Sequence, residues 1–342
     1  MIRHRIPYLD NAKGVLILFV VVGHVLEVFM NSSSNHTPVT HAIYTFIYIF
    51  HMPAFIAIAG YLSGKPRTEI SIRRDINTLL IPYLIFELAI TSLRLPITGT
   101  TNLDLLNPSR GLWFLLALFM MRVISPYFSL LKFPVLISLA ISIAVGYFPG
   151  IGAPLSLGRF FALLPFYFIG VAIYQKGYTS KISEFTVKRI VQLRIFAVIC
   201  LSTLLLLLLT FRETIFRYKV WRIFYYKDSA IVLDLENHFY WIRPAALLIS
   251  ALAAIAVLLL IPRKNSFLET WGINSLNIYL LHIVVFNILF WVDLPDLPLL
   301  GVLGIAVLLG SLLTAVIGTK TVDKLVRPIM RGNHDWLYSK KL

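Results

Sequence analysis

Acidic residues are scarce in this chain. Its 342 residues include 16 Asp and Glu against 31 Lys and Arg, and charged residues make up 14% of the sequence while hydrophobic ones make up 58%. A soluble domain carries about a quarter of its residues charged, and a mean hydropathy of +0.81 excludes that class. Cysteine is nearly absent too: Cys200 stands alone, so no internal disulfide can form and no compartment can be read from it. No small-residue cleavage site follows the first apolar run, which Lys13 and His24 also interrupt, so that run reads as a retained helix and not a removed signal peptide. No internal repeat is evident, which withholds support from a transporter built of two symmetric halves. A formal charge of +15 would suggest nucleic acid in a soluble chain. Here most of the Lys and Arg fall between apolar spans, where topology and anionic headgroups account for them, and no nucleic-acid partner is expected.

What is abundant is membrane-length apolar sequence. Windows of about 20 residues place ten spans near 12–30, 39–62, 77–95, 111–129, 134–149, 158–175, 190–211, 242–262, 273–292 and 299–319. The expected fold is therefore all-α, a polytopic bundle of about ten transmembrane helices in one integral membrane domain over 1–342. With the N-terminus cytoplasmic, the inside segments receive Arg3, Arg5 and Lys13; Lys65, Arg67, Arg73 and Arg74; Lys132; Lys176, Lys181, Lys188 and Arg189; Arg263 and Lys264; and a basic tail over 320–342. The short loops 31–38 and 293–298 hold no Lys or Arg, so both termini are expected inside. One long external loop, 212–241, mixes Arg217, Lys219, Arg222 and Lys227 with Phe216, Tyr218, Trp221, Phe224, Tyr225, Tyr226, Tyr240 and Trp241, as in a helix lying among headgroups or a cap over a cavity.

Ionisable side chains inside these windows are the candidate functional groups. Each costs about 2.5 to 3.5 kcal/mol to insert, so a helix that keeps one usually turns it toward a bundle interior or a cavity. In the first span Lys13 and His24 are eleven residues apart, close to three whole turns, so they share a face with the imidazole roughly 16 Å deeper than the ammonium. Glu27 lies one turn beyond His24, near enough to orient its ring. In the second span His41, Tyr44, Tyr48 and His51 form a polar stripe above Pro53, in which Tyr44 reads as packed or interfacial and His51 as the better site residue. Arg73 and Arg74 lie in a basic cytoplasmic loop suited to phosphate. Glu87 and Arg159 are charges inside apolar windows, each a cavity residue or a partner for another charge, and the ninth span supplies Asn274, Asn277 and His282.

Several stretches together resemble the membrane acyltransferase 3 family, in particular its stand-alone, fucose 4-O-acetylase-like members. They are Leu9-Asp10 with Lys13-Gly14 and Gly23-His24; Phe50-His51-Met52-Pro53 with Gly60-Tyr61-Leu62; Ile81-Pro82-Tyr83; Leu112-Trp113-Phe114-Leu115; Pro165 to Gly170; and Asn274-Ser275 with Ile278 to His282. The resemblance implies a ten-helix enzyme of the bacterial plasma membrane that moves an acyl group, foremost acetyl from cytosolic acetyl-CoA, to a hydroxyl of a cell-surface or lipid-linked carbohydrate. Its hallmark is an arginine separated by ten residues from an essential histidine. Here His24 holds the histidine position and Lys13 the arginine position, which keeps the charge and loses the bidentate fork. A second pattern, two arginines three apart before the third helix, is also altered, since Asn77 stands three beyond Arg74.

Transfer from a thioester to an alcohol requires a base, a stabilised oxyanion and a grip on an anionic donor. The expected assignment makes His24 the base, with Glu27 orienting it, and takes the oxyanion donor from His51, Tyr48 or Asn277. Lys13, Arg73 and Arg74 contact coenzyme A phosphates, while Tyr48, Glu87, Trp113, Arg159, Asn277 and His282 face the substrate. No metal is expected. The rival class is a transporter or flippase for a polyprenyl-linked sugar or small anion, which needs no thioester donor; a ligand-free scaffold would leave the buried charges without purpose.

Overall fold

Backbone polar groups in hydrocarbon must bond within their own segment, and the described residues of this chain meet that demand with helices. The computed structural model describes residues 6–31, 35–65, 68–99, 103–152, 154–177, 186–291 and 296–330, and among them there is no strand. Arg3, Arg5, Arg67, Lys181 and the tail beyond Met330 lie outside the described residues, so that part of the charge asymmetry carries no structural reading.

Helix α1 (Pro7–Met30) and α2 (Pro38–Leu62) each open on a proline at the first turn, where its missing N–H costs nothing. A reciprocal cap between Thr37 and Thr40 adds to the start of α2. A similar Thr68–Ser71 cap starts the short α3 (Glu69–Asp75), which continues through one π-helical turn, Ile76–Leu80, into α4 (Ile81–Thr98). There follow α5 (Trp113–Phe128), α6 (Pro134–Val145), α7 (Leu157–Gln175) and α8 (Val187–Thr210). Two short helices, α9 (Arg212–Arg217) and α10 (Trp221–Phe224), precede α11 (Phe239–Leu260). The chain ends in α12 (Leu268–Ile273), α13 (Ser275–Leu289), α14 (Leu299–Ile317) and α15 (Lys320–Met330).

Helices occupy all ten expected windows, yet among the described residues seven are long and apolar enough to cross a membrane. The others, α5, α6 and α13, have 16, 12 and 15 residues. At 1.5 Å per residue these reach about 24, 18 and 22 Å, short of a core about 30 Å thick. The protein is an integral membrane protein of helices, with seven that meet the length requirement unaided.

Helices α1 and α2 form the centre. They pack on each other; α1 also meets α12, α13 and α14, while α2 meets α7, α8, α9 and α11. Two crossings bring backbones into direct contact. A Cβ on Gly14 would strike the carbonyl of Leu268, and one on Gly272 that of Asp10; on Gly60 and Gly170 it would strike the carbonyls of Tyr167 and Ala57. Small residues at such crossings are how membrane helices gain close packing without a hydrophobic drive between them. At the periphery, only 11% of the apolar window of α8 is buried, against 67% for α2, so α8 faces lipid.

The α2–α7 crossing generates a stability prediction. Gly170→Val is expected to cost about 1 to 3 kcal/mol or more through overpacking and to lower the thermal midpoint and monodisperse yield on size exclusion in detergent. Gly304→Ala, where a Cβ meets nothing, leaves both unchanged.

Candidate active site

Because α1 and α2 run side by side, their polar stripes face one another across a cavity of about 180 Å³. From α1 come His24 and Glu27, from α2 Tyr44, Tyr48 and His51, and from α5 and α7 Trp113 and Arg159. Of the twelve residues expected in the site, these six apart from Tyr44 line this space: His24, Glu27, Tyr48, His51, Trp113 and Arg159. Tyr44, read from the sequence as packed or interfacial, packs against Tyr48 and Tyr225 and lines the cavity as well. It is buried, and its hydroxyl donates to Glu27 at 3.2 Å, as does that of Tyr48. His41, higher in the same stripe, lies instead among His36, Phe216 and Trp221.

The histidines are ordered by backbone carbonyls. His282 Nδ1 lies 2.8 Å from the carbonyl oxygen of Ile278, one turn back on α13. A carbonyl only accepts, so that nitrogen carries the proton, and Nε2 of the neutral ring is an acceptor. His24 Nδ1 sits 2.9 Å from His282 Nε2 and must donate to it. The remaining nitrogen of His24, Nε2, is thereby left with its lone pair. The two rings stack at 5.1 Å, with Phe286 stacked on His24 at 4.9 Å. The same logic fixes His51, whose Nδ1 donates to Ile47 at 2.7 Å, so its Nε2 too is an acceptor.

This corrects three expectations. The group that orients His24 is His282 and not Glu27, whose carboxylate turns to the two tyrosines and to Arg110 at 3.4 Å. A neutral His51 has no hydrogen left to offer an oxyanion. Asn277 faces away from the cavity, donating to Asp323 on α15 at 2.8 Å.

Glu87 does not reach the cavity lining or Arg159. It accepts from the backbone N–H of Ser109 at 2.9 Å and from the Ser109 hydroxyl at 2.5 Å. One turn earlier on α4, Tyr83 donates to the carbonyl of Leu105 at 2.7 Å. Together they fasten the loop 103–112, which delivers Arg110 to the cavity and ends at Gly111, where φ is +88° and Tyr279 donates to the carbonyl. Sequence reasoning missed Arg110 and Tyr279. The stretch 212–241 folds inward as a cap: Trp221, Phe224 and Tyr226 are buried, and Tyr225 and Lys227 line the cavity. Burial, with the Glu27 charge nearby, holds the Tyr225 hydroxyl above the usual tyrosine range.

A second cavity, about 220 Å³, lies toward the Lys13 end of α1. Its walls are mainly apolar, among them Phe55, Leu79, Phe114 and Leu118, with Lys13, Thr78, Arg122, Ser275 and Tyr279 as polar members. Val20, Met52 and Tyr279 line both cavities and so form the partition between them. Lys13 pairs with Asp10 at 2.7 Å and Arg122 with Asp75 at 2.6 Å. Arg73, paired with Glu69 at 2.5 Å, and Arg74 are on α3, outside the lining of this cavity. No group of three or more metal-ligating side chains occurs among the described residues.

A family model described as an acyltransferase domain matches residues 6–318. The chain is also similar to the nodulation protein NolL of Sinorhizobium fredii, 34% identical over 151 residues that make up 40% of this chain and 41% of that protein. Similarity to the nodulation protein NolL of Mesorhizobium japonicum is 33% over 121 residues, 32% of each chain. The matches thus span less than half of these curated relatives. No solved structure matches.

The hydrogen-bond order predicts a tautomer that can be measured. In protein labelled with 15N-histidine and held in nanodiscs, solid-state NMR is expected to find His24, His51 and His282 as Nδ1–H rings. In the variant His282→Ala the His24 signal should redistribute between tautomers while that of His51 stays put.

Proposed function

The chain belongs to the family built on this acyltransferase domain, and on that premise we propose that it is an integral membrane O-acyltransferase. It moves an acyl group, foremost acetyl, from acyl-CoA to a hydroxyl of a cell-surface or lipid-linked carbohydrate. The reading treats 1–342 as one unit with ten crossings and both termini cytoplasmic, in the bacterial plasma membrane. The observation that carries it is the meeting of two cavities at the Val20–Met52–Tyr279 partition, directly beside an imidazole whose Nε2 lone pair is free.

Acyl-CoA enters the 220 Å³ cavity. Its apolar walls suit an acyl-pantetheine arm, and Lys13 and Arg122 at its polar end suit phosphate. This grip on the nucleotide leaves Arg73 and Arg74, on α3, to contacts farther out. The acceptor occupies the 180 Å³ cavity with its hydroxyl toward His24.

His24 Nε2 then takes the hydroxyl proton, the oxygen attacks the thioester carbonyl, and the carbon–sulfur bond of the resulting adduct breaks. The departing thiolate recovers the proton from Nε2. His282 supports the cycle as the Asp of a hydrolase triad supports its His, by fixing the tautomer and orientation of the base. With His51 and Asn277 otherwise committed, the oxyanion donor is Tyr48, whose 3.2 Å bond to Glu27 is long enough to be exchanged. His51 is left to accept a hydrogen bond from a sugar hydroxyl.

With labelled acetyl-CoA and envelope glycan, wild-type protein in vesicles is expected to place label on the glycan, whereas a transporter would leave the donor intact. His24→Ala abolishes labelling without loss of monodispersity. Tyr48→Phe lowers kcat on the order of 10²-fold, as loss of one oxyanion donor does, with little change in KM. Retained turnover in His24→Ala would remove the assignment.

A further inference from the structure

The 180 Å³ cavity is unevenly charged. Its lining holds three cations, Arg110, Arg159 and Lys227, and among the described residues a single carboxylate, Glu27. Glu27 already has a cation, since Arg110 approaches it at 3.4 Å from the half-exposed mouth, where the guanidinium also lies over Phe290. Asp228, the nearest acid to Lys227 in the chain, is bound to Arg222 Nε at 2.9 Å. Among the described residues neither Arg159 nor Lys227, both in the lining, is in an ion pair, although the charges of Glu27 and Asp228 act on Arg159 from farther away.

Arg159 is held in a definite pose. Its Nε donates to the carbonyl of Tyr225 at 3.2 Å, and its guanidinium lies over the Trp113 ring at 4.7 Å. Those contacts fix the plane and leave the two terminal nitrogens, which have no hydrogen bond among the described residues, as a fork turned to the open space. A partly buried guanidinium without an ion pair is costly, and a planar fork stacked on an aromatic face is the geometry that grips a two-oxygen anion. All three cations come from the loop 103–112, the start of α7 and the cap, at the end of the bundle opposite Lys13. They cannot serve the same phosphates as Lys13.

We infer that Arg159 and Lys227 form an anion subsite for the acceptor, so that the molecule receiving the acyl group is acidic, presenting a phosphate or a carboxylate beside its hydroxyl. The Glu27–Arg110 pair keeps the lone carboxylate from repelling such a ligand. The inference rests on the acyl-transfer reading only for the word acceptor; the anion site stands or falls without any donor.

The test is accordingly one of binding. Purified full-length protein in nanodiscs is titrated by thermal shift with inorganic phosphate, methyl glucuronide and methyl glucoside, with no acyl-CoA present. Phosphate or the glucuronide is expected to stabilise the protein at concentrations at least tenfold below any effect of the glucoside, and the tighter of the two identifies the acidic group. Lys227→Gln, at an exposed position where folding is not at stake, and Arg159→Gln each weaken anion binding about tenfold. Arg159→Lys retains part of it, and His24→Ala, inactive in transfer, retains all of it. Equal response to all three probes, or a preference for anions that survives the Arg159→Gln, Lys227→Gln double variant, overturns the inference.

Discussion

The hydrogen bond from His282 to the carbonyl of Ile278 is the contact on which the centre of this protein depends. In water an imidazole samples both tautomers; in a buried bundle the acceptor beside it decides. Ile278 fixes His282, His282 fixes His24 on the neighbouring helix, and His24, which lines the cavity, is left with the lone pair of Nε2. The arrangement needs α13 close to α1. Packing of α1 against α12 and α13, tightened by Gly14 and Gly272, supplies that proximity.

A second constraint follows from cost. Each ionisable group in hydrocarbon is retained only when something offsets its insertion, and nearly every such group here has a visible partner. Glu87 has Ser109, Glu27 has two tyrosines and an arginine, and Asp323 has Asn277 and Arg327. Against that background the terminal nitrogens of Arg159 stand out, because among the described residues no acid is within ion-pair distance of them. Glu87, with Tyr83 one turn earlier, holds the loop 103–112 in place, and Lys13 and Arg122 each rest on an aspartate.

Much of this was legible before the fold. Apolar windows located the helices to within a few residues, because a membrane span has one dominant requirement and little else competes with it. The pairing of His24 with the stripe on α2 could be read because both follow helical spacing on adjacent antiparallel segments. Partners could not. Glu27 and His24 are one turn apart, and nothing local shows that Glu27 looks instead to Tyr44 and Tyr48 or that a ring 258 positions away takes its place. Nothing local marks Arg110, which reaches the cavity through the turn at Gly111, or shows that Tyr279 bonds to that turn. Asn277, which shares α13 with His282, points to another face because five residues separate them and 500° of helical rotation leaves them about 140° apart.

The account centres on two chambers that meet at His24, one for a nucleotide thioester and one for an alcohol. A cryo-EM structure of the protein with a non-transferable thioether analogue of acetyl-CoA tests that directly. The account predicts the adenine nucleotide at the Lys13 and Arg122 end, and the sulfur at the Val20–Met52–Tyr279 partition within reach of His24 Nε2. An analogue bound elsewhere, or one seated at Lys13 with its sulfur walled off from His24 by that partition, would contradict it.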